Sequence, residues 1–417
     1  MISICKTFPR FWNSERGDTA IMFALSAIPV LLALGAGVDY ARYNDTQTHL
    51  QAALDAAALA GAAALKKTDA EREAIAQDAF DANMALGAAA GYTTESSFEV
   101  ESGILIASAT VDAPTSMMKL AGISSMSISG TAEVGLATDK KAEIALVLDY
   151  SGSMEETSGT KVKYVAMKDA ASKLVTDLTT SSPGKVKFGL VPFSHQVHLS
   201  MSDSFIVGGS GSSTWTGCTQ DRQYPHNLTD NTPTSADKSK WGHPFAPDHA
   251  GWGCSGYVDN HLQVKPLTSD GNAITSQLAA MRPYAWTHIA LGVEFGYHLL
   301  SPNLPFDQGV AYGDTETQKF MIVLTDGMQT EPAFGPGSTR SVAQGESNLE
   351  QLCENAKADG IRIITLAFDL YDTSTRTRLK NCASDSDSFF VADDATDLSL
   401  AFEDIKTAVA SEIYLKK

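Results

Sequence analysis

The sequence predicts an α/β protein in which a doubly wound, mostly parallel sheet fills the second half, behind a transmembrane helix and a small α+β region. Three observations carry this. From about residue 142 onward, short apolar runs alternate with segments of helical period, an order that implies a parallel sheet covered on both faces. Ala20 to Val38, reading AIMFALSAIPVLLALGAGV, carries no charge and approaches the ~20 residues a spanning helix needs. Between the two, an alanine-rich stretch gives way after Phe98 to β-type runs,.

The chain has 417 residues, more than one core usually absorbs. The pattern divides it into an N-terminal flank over 1–19, the span over 20–38, a helix with a small sheet over 39–137, and the larger domain over 142–417, with an insertion at about 200–270. The formal charge of −18 repels phosphate backbones, and no basic stripe reverses it, which excludes nucleic-acid binding.

Lys6, Arg10 and Arg16 precede the apolar run, whereas Asp39 follows it at once with only Arg42 as a nearby base. The positive-inside rule therefore puts the N-terminus in the cytoplasm and the bulk of the chain outside. The alternative, a cleaved signal peptide with small residues at Ala33, Gly35 and Gly37, needs an unusually long apolar core. The helical pattern also continues past Tyr40 without a break. Pro29 bends a helix but is tolerated in a membrane. Arg16-Gly17-Asp18 is an adhesion-type tripeptide on the cytoplasmic flank, where it reads as chance.

Over 39–91 alanine dominates, and Leu50, Leu54, Ala57, Gly61 and Leu65 recur at helical spacing as one apolar stripe,. Its small residues admit a second helix at close range, and Gly91 ends the pattern as a C-cap. Ile104 to Val111 and Ser125 to Val134 read as strands, with a short helix within Pro114 to Gly122,. A long N-terminal helix followed by a small sheet is pilin-like architecture. Arg16-Gly17 before the apolar run, then Gly37-Val38-Asp39-Tyr40-Ala41-Arg42, then Ala53-Leu54-Asp55-Ala56-Ala57-Ala58-Leu59-Ala60-Gly61-Ala62, resembles the N-terminal region of TadG-like proteins. These belong to the Tad (tight adherence) machinery that assembles Flp pili. The resemblance spans roughly residues 14–137 and implies a bacterial membrane, an exported bulk in the periplasm or beyond, and pilus-system partners. Gly17 is followed by Asp-Thr-Ala-Ile-Met, without the glutamate that type IV pilins carry after their processing site, so polymerisation as a pilus subunit is not expected.

In the larger domain Glu143 to Leu148, Lys185 to Phe193, Lys319 to Leu324, Arg362 to Phe368 and Ser388 to Val391 read as strands. Lys161 to Leu178, Asn272 to Leu300, Leu349 to Ala358, Arg376 to Cys382 and Leu398 to Ser411 read as helices. Ligands of such sheets bind beyond the carboxyl ends of the strands. Two strands deliver oxygen donors there: one ends in Asp149-Tyr150-Ser151-Gly152-Ser153, the other in Thr325-Asp326-Gly327. Asp-x-Ser-x-Ser puts one carboxylate and two hydroxyls on a single tight loop, with Gly152 allowing the turn. Hard cations such as Mg²⁺ want such oxygens in near-octahedral geometry and retain waters or an exogenous ligand.

This pattern resembles the metal-ion-dependent adhesion site of von Willebrand factor A domains. The resemblance assigns Asp149, Ser151 and Ser153 to the first metal loop, Thr287 to the middle loop and Asp326 to the third. Many relatives have Gly-Gly-Thr in the middle loop, where this chain has Ala285-Trp286-Thr287. It further implies Mg²⁺, with Mn²⁺ or Ca²⁺ as substitutes, whose shell a partner protein's Asp or Glu completes. That is binding, with no bond broken.

Cys5 precedes the span, and Cys218, Cys254, Cys353 and Cys382 follow it. None forms a CxxC pair, so a zinc site lacks support. Four cysteines beyond a membrane segment suit two disulfides in an oxidising compartment. Three pairings are open, of which Cys218 with Cys254 and Cys353 with Cys382 is favoured. The insertion holds Trp215, Trp241, Trp252, Tyr224 and Tyr257 with His226, His243, His249 and His261. It reads as a disulfide-clasped subdomain using its aromatics as a miniature core, rather than as an exposed recognition surface. Asn227-Leu228-Thr229 matches a glycosylation sequon by chance. No nucleophile elbow, Walker loop or dinucleotide fingerprint appears, and His288 beside Thr287 reads as structural. The functional alternatives are a structural tether with a vestigial or purely stabilising metal loop and, behind it, a metal-dependent hydrolase.

Overall fold

The computed structural model describes residues 17–65, 67–86, 92–136, 140–207, 216–242 and 254–414. Cys5, Lys6, Arg10, Arg16, Gly91, Trp215, Trp252, His243 and His249 lie outside the described residues. Two compact units are separated between Leu136 and Lys140.

The first unit is organised by helix α1, Gly17–Ala63, 47 residues long. At 1.5 Å per residue it reaches about 70 Å, roughly twice a bilayer's hydrocarbon core. It is long and apolar enough to cross a membrane. Its two halves meet different surroundings. Ile21, Phe23, Leu25, Leu31 and Leu34 are exposed, whereas Leu50, Leu54, Ala57 and Ala58 are fully buried.

The sequence reading of one helical pattern running to Gly91 is corrected here. α1 stops at Ala63, and a second helix α2, Asp69–Met84, packs on it. A capping box starts α2: Thr68 Oγ1 accepts from Glu71 N at 3.3 Å, and Glu71 Oε2 accepts from Thr68 N at 2.8 Å,. Buried Arg72 donates to the Ala62 carbonyl at 2.8 Å, satisfying the end of α1,. Leu65, expected in the stripe, falls between the helices and is exposed. Gly61 provides the expected close approach, since a Cβ there would stand 2.7 Å from the Arg72 carbonyl oxygen.

Three antiparallel strands, β1 Thr93–Glu101, β2 Ile104–Pro114 and β3 Ser125–Gly135, form a sheet in that order. β1 begins ahead of the expected change at Phe98. Alternate residues of β2, from Leu105 to Ala113, are buried, the period of a half-buried strand. Between β2 and β3 the short helix is a single 3₁₀ turn, Met118–Ala121.

The second unit contains a six-stranded sheet. Its strands are β4 Lys141–Asp149, β5 Val186–Phe193, β6 Lys265–Thr268, β7 Thr317–Thr325, β8 Ile361–Phe368 and β9 Phe389–Ala392, in spatial order β6-β5-β4-β7-β8-β9. All pairings are parallel except β6 with β5. The central strands read as continuous apolar runs because both faces are covered. Ile144, Leu146 and Leu148 face one core with α3 (Lys163–Ser181), α4 (Gly271–Ala280) and α8 (Ala395–Tyr414); Ala145 and Val147 face another with α5 (Ile289–Leu300) and α6 (Val342–Ala358). A short helix α7, Thr373–Cys382, follows β8.

Two expectations for the insertion are corrected. It ends before Lys265, because Lys265–Thr268 is the antiparallel edge strand. Among the described residues, Trp241 and Tyr257 also join the domain's own clusters rather than a separate core. Trp241 is fully buried 5.4 Å from the Phe295 ring, and Tyr257 joins the cluster around β4. The broad apolar faces of α5 and the sheet are larger surfaces to bury against than a segment of this size can offer itself. Disulfides join Cys218 to Cys254 and Cys353 to Cys382, as expected. Asn227 is buried, donating to Asp221 at 3.0 Å and to the Phe334 carbonyl at 2.9 Å, so its side chain is committed internally.

Candidate functional site

β4 and β7 are adjacent and parallel, in register from Thr317↔Lys141 to Leu324↔Leu148. Their carboxyl ends therefore deliver Asp149 and Asp326 to the same edge of the sheet. The chain turns at once into a 3₁₀ segment, Gly152–Glu155, which brings Ser151 and Ser153 back over Asp149. Ser151 N donates to Asp149 Oδ1 at 2.7 Å. The Ser151 and Ser153 hydroxyls are 3.1 Å apart, and Ser153 Oγ donates to Asp326 Oδ1 at 2.7 Å. A chain of short contacts thus joins four of the expected donors.

Thr287 arrives on the connection between α4 and α5. Gly152 N donates to the Ala285 carbonyl at 2.8 Å, locking the first loop to this one. Thr287 N donates to Thr330 Oγ1 at 2.9 Å, and its carbonyl accepts from Thr330 N at 2.9 Å. A Cβ added at Gly327 would stand 3.5 Å from Thr287 Oγ1 and 3.7 Å from Ser153 Oγ. The Thr287 and Ser153 hydroxyls thus both lie near Gly327. Ala285 has φ of +68°, the left-handed region that glycine adopts without strain.

The donor set is mostly buried, with Ser153 half-buried. Asp149 is fully buried, and Ser151, Thr287 and Asp326 are nearly so. Burial, reinforced by the Asp326 carboxylate, pushes Asp149 up to about 7, while bonds from Thr325 and Ser151 pull the other way. Burial raises Asp326 too. Two carboxylates brought together in a buried pocket favour a cation beside them, and Lys163 supplies one at 3.1 Å from Asp326,. Two carboxylates and three hydroxyls, all hard oxygen donors, fit Mg²⁺ in kind. Among the described residues no group of three or more His, Cys, Asp or Glu side chains forms a metal cluster; the hydroxyls make up this donor set.

Three participants were not legible as site residues. Thr325 Oγ1 donates to Asp149 Oδ2 at 2.6 Å. Lys163, at the start of α3, places Nζ 3.1 Å from Asp326 Oδ2, 3.2 Å from Glu156 Oε2 and 3.4 Å from Asp369 Oδ2, with its side chain 5% exposed. Burial works against its charge, but the facing carboxylates outweigh it, so its pKa rises. Gln329 Oε1 accepts from Ile289 N at 2.8 Å and Ala290 N at 3.3 Å, holding the start of α5 beside Thr287. The signal available for Thr325 was its place beside Asp326. Lys163 and Gln329 carry none without the fold. His288 is structural: its buried Nδ1 accepts from Leu291 N at 3.1 Å, and burial drives it down to about 3.

The strand order, the antiparallel edge strand and the donors at the carboxyl ends of β4 and β7 define a von Willebrand factor A-like fold. Residues 17–64 match the family model described as putative Flp pilus-assembly TadE/G-like. Similar solved structures include the pilus adhesin SpaC from Lactobacillus rhamnosus GG in an open conformation, 15% identical, covering 78% of this chain and 34% of that one, with a TM-score of 0.42. This chain thus spans about a third of SpaC's length. The vWF domain of the type V pili tip protein Mfa5 from Porphyromonas gingivalis is 13% identical, covering 67% and 99%, with a TM-score of 0.42. Proximal thread matrix protein 1 from the mussel byssus, described with a zinc-occupied MIDAS motif, is 17% identical, covering 65% and 46%, with a TM-score of 0.37. No curated protein matches the sequence.

Proposed function

We propose that the chain is a membrane-anchored, exported component of a Tad-like pilus system that captures a partner protein at a metal-ion-dependent adhesion site. Asp149, Ser151, Ser153, Thr287 and Asp326 hold the metal, Mg²⁺ in the first instance, with Mn²⁺ or Ca²⁺ suited to the same oxygens. The observation that carries this reading is the contact chain from Asp149 through Ser151 and Ser153 to Asp326. A bound divalent cation supplies an electrophilic centre with a position open to a partner's carboxylate oxygen. The chain's own residues do the rest. Thr325 and the Ser151 amide fix the Asp149 carboxylate, Ser153 orients Asp326, and the hydroxyls add no charge to compete with the partner's. Trp286 is 44% and Met328 50% exposed beside Thr287 and Asp326, giving the rim apolar surface for a protein rather than a small ion.

The test is capture of pilus-system components by the full chain, with Mg²⁺, with EDTA, and after Asp149→Ala. Capture is expected to fall in both of the latter cases; unchanged capture in both sinks the reading. One observation favours a second reading, a structural tether whose metal loop only stabilises: Lys163 already compensates Asp326. On that reading EDTA lowers the melting temperature and leaves capture intact.

A further inference from the structure

Asp39 is the first charged residue after the apolar run, and its carboxylate is buried. It accepts backbone N–H bonds from Ser116 at 2.9 Å, Met117 at 2.9 Å and Met118 at 2.8 Å. Arg42, one turn further on, donates to Ser116 Oγ at 2.5 Å. The β2–β3 connection is therefore pinned to α1 at the level where α1 becomes polar. One of its apolar side chains, Met117, reaches the other side of that level. A Cβ added at Gly35 would overlap Met117 Cβ and stand 2.8 Å from Met117 Cγ. Gly35 is one helical turn, about 6 Å, from Asp39 toward the apolar run. Met117 thus lies against the last turn of that run. The same connection exposes Leu120 at 78%, Met117 at 47% and Ile123 at 42%. Tyr40 and Tyr43, stacked with ring centroids 6.3 Å apart, mark the same level, where tyrosines favour the membrane–water interface.

We infer that the β2–β3 connection is a second membrane contact: Met117, Leu120 and Ile123 dip into the interfacial region of the leaflet that α1 leaves. The occupant is lipid because the exposed side chains continue the apolar surface of α1, with Leu34 at 64% and Val38 at 51% exposed beside them. Lys119 in the same turn places its ammonium among headgroups while its stem stays apolar,. An anchor with one contact leaves α1 free to tilt and turn. A second contact fixed by Asp39 and Arg42 sets how the sheet of this unit stands on the bilayer. The inference rests on α1 spanning a membrane, and its test separates the two.

The full chain is placed in phosphatidylcholine–phosphatidylglycerol nanodiscs with Cys5→Ser and one added cysteine, Leu31→Cys, Leu120→Cys or Glu99→Cys, carrying a nitroxide. Accessibility to oxygen, which partitions into lipid, is compared with that to a water-soluble nickel complex. The oxygen-to-nickel ratio at 120 is expected to approach that at 31 and exceed that at the exposed strand position 99. A water-like ratio at 120 with a lipid-like one at 31 overturns the second contact and leaves the anchor standing. Water-like ratios at both overturn both. A label at 120 reached by neither reagent overturns the lipid contact in favour of a protein covering the connection.

Discussion

Asp326 divides its carboxylate between a hydroxyl and an ammonium, Ser153 on one oxygen and Lys163 on the other. The ammonium is a like charge to any metal in the pocket, a few ångströms away, and at an effective dielectric near 20 such a pair repels by a few kcal/mol. Lys163→Met is therefore expected to tighten Mg²⁺ binding about tenfold or more, as read by titration calorimetry, while lowering the melting temperature of the metal-free protein, whose buried carboxylates lose a partner. Lys163→Arg keeps the charge and is expected to leave the affinity within a few-fold. Weaker binding by the Met variant would mean that Lys163 serves chiefly to hold the donors in place. At this scale the sequence exposed whatever sits consecutively on one loop. Asp149, Ser151 and Ser153 announce themselves, and Asp326 does so by ending a second apolar strand. Thr287 needed a family pattern, because its loop follows no strand. Lys163 was out of reach, since ten residues separate it from Ser153 and only the packing of α3 returns it to the pocket.

Elements were legible where periodicity is long and misread where a boundary depends on a few atoms. The expected strands and helices of the second unit fall within a few residues of expectation, except helix α6, which begins at Val342 rather than Leu349, and Asn272 to Leu300, which divides into α4 and α5 around the Thr287 loop. Their apolar runs are long because both faces of the sheet are covered. The break between α1 and α2 was overlooked although Thr68 and Glu71 spell a capping box, because alanine on both sides keeps the stripe apparently intact. β6 was lost because it has four residues and lies at an edge. The joint between α1 and the β2–β3 connection was equally hidden, since Asp39 and its three amide donors are about eighty residues apart. It carries a pH signature. Those amide bonds hold the Asp39 carboxyl below its ordinary 3.8, so the joint is fully stabilised above about 3.8 and is lost as pH falls through the lower folded value. Hydrogen exchange at Ser116, Met117 and Met118 is expected to stay protected from neutral pH down to about 4, and to lose protection in stronger acid. Asp39→Asn should remove the pH dependence and much of the protection; protection surviving strong acid would show that the carboxylate is not its source.

At the scale of the whole molecule, the chain joins two units that solve the burial problem separately. The first depends on one long helix, apolar for solvent-free surroundings over its first half and for a sheet over its second. The second has its own core on both faces of its sheet, with both disulfides inside it. That independence is testable together with the metal reading. A fragment beginning at Lys140 contains every strand of the six-stranded sheet and all five candidate ligands, and corresponds to one compact unit. It is expected to unfold in a single cooperative transition with its disulfides intact. A ligand that binds only the folded state at about 100 times its dissociation constant stabilises by about 2.7 kcal/mol. For a domain of this size that corresponds to a rise of roughly 5–10 °C in melting temperature. Mg²⁺ should give this rise with the native fragment and none with Asp149→Ala. An Asp149→Ala fragment that still gains stability from Mg²⁺ would place the ion elsewhere, and a native fragment that gains none would leave Lys163 as the only cation the pocket uses.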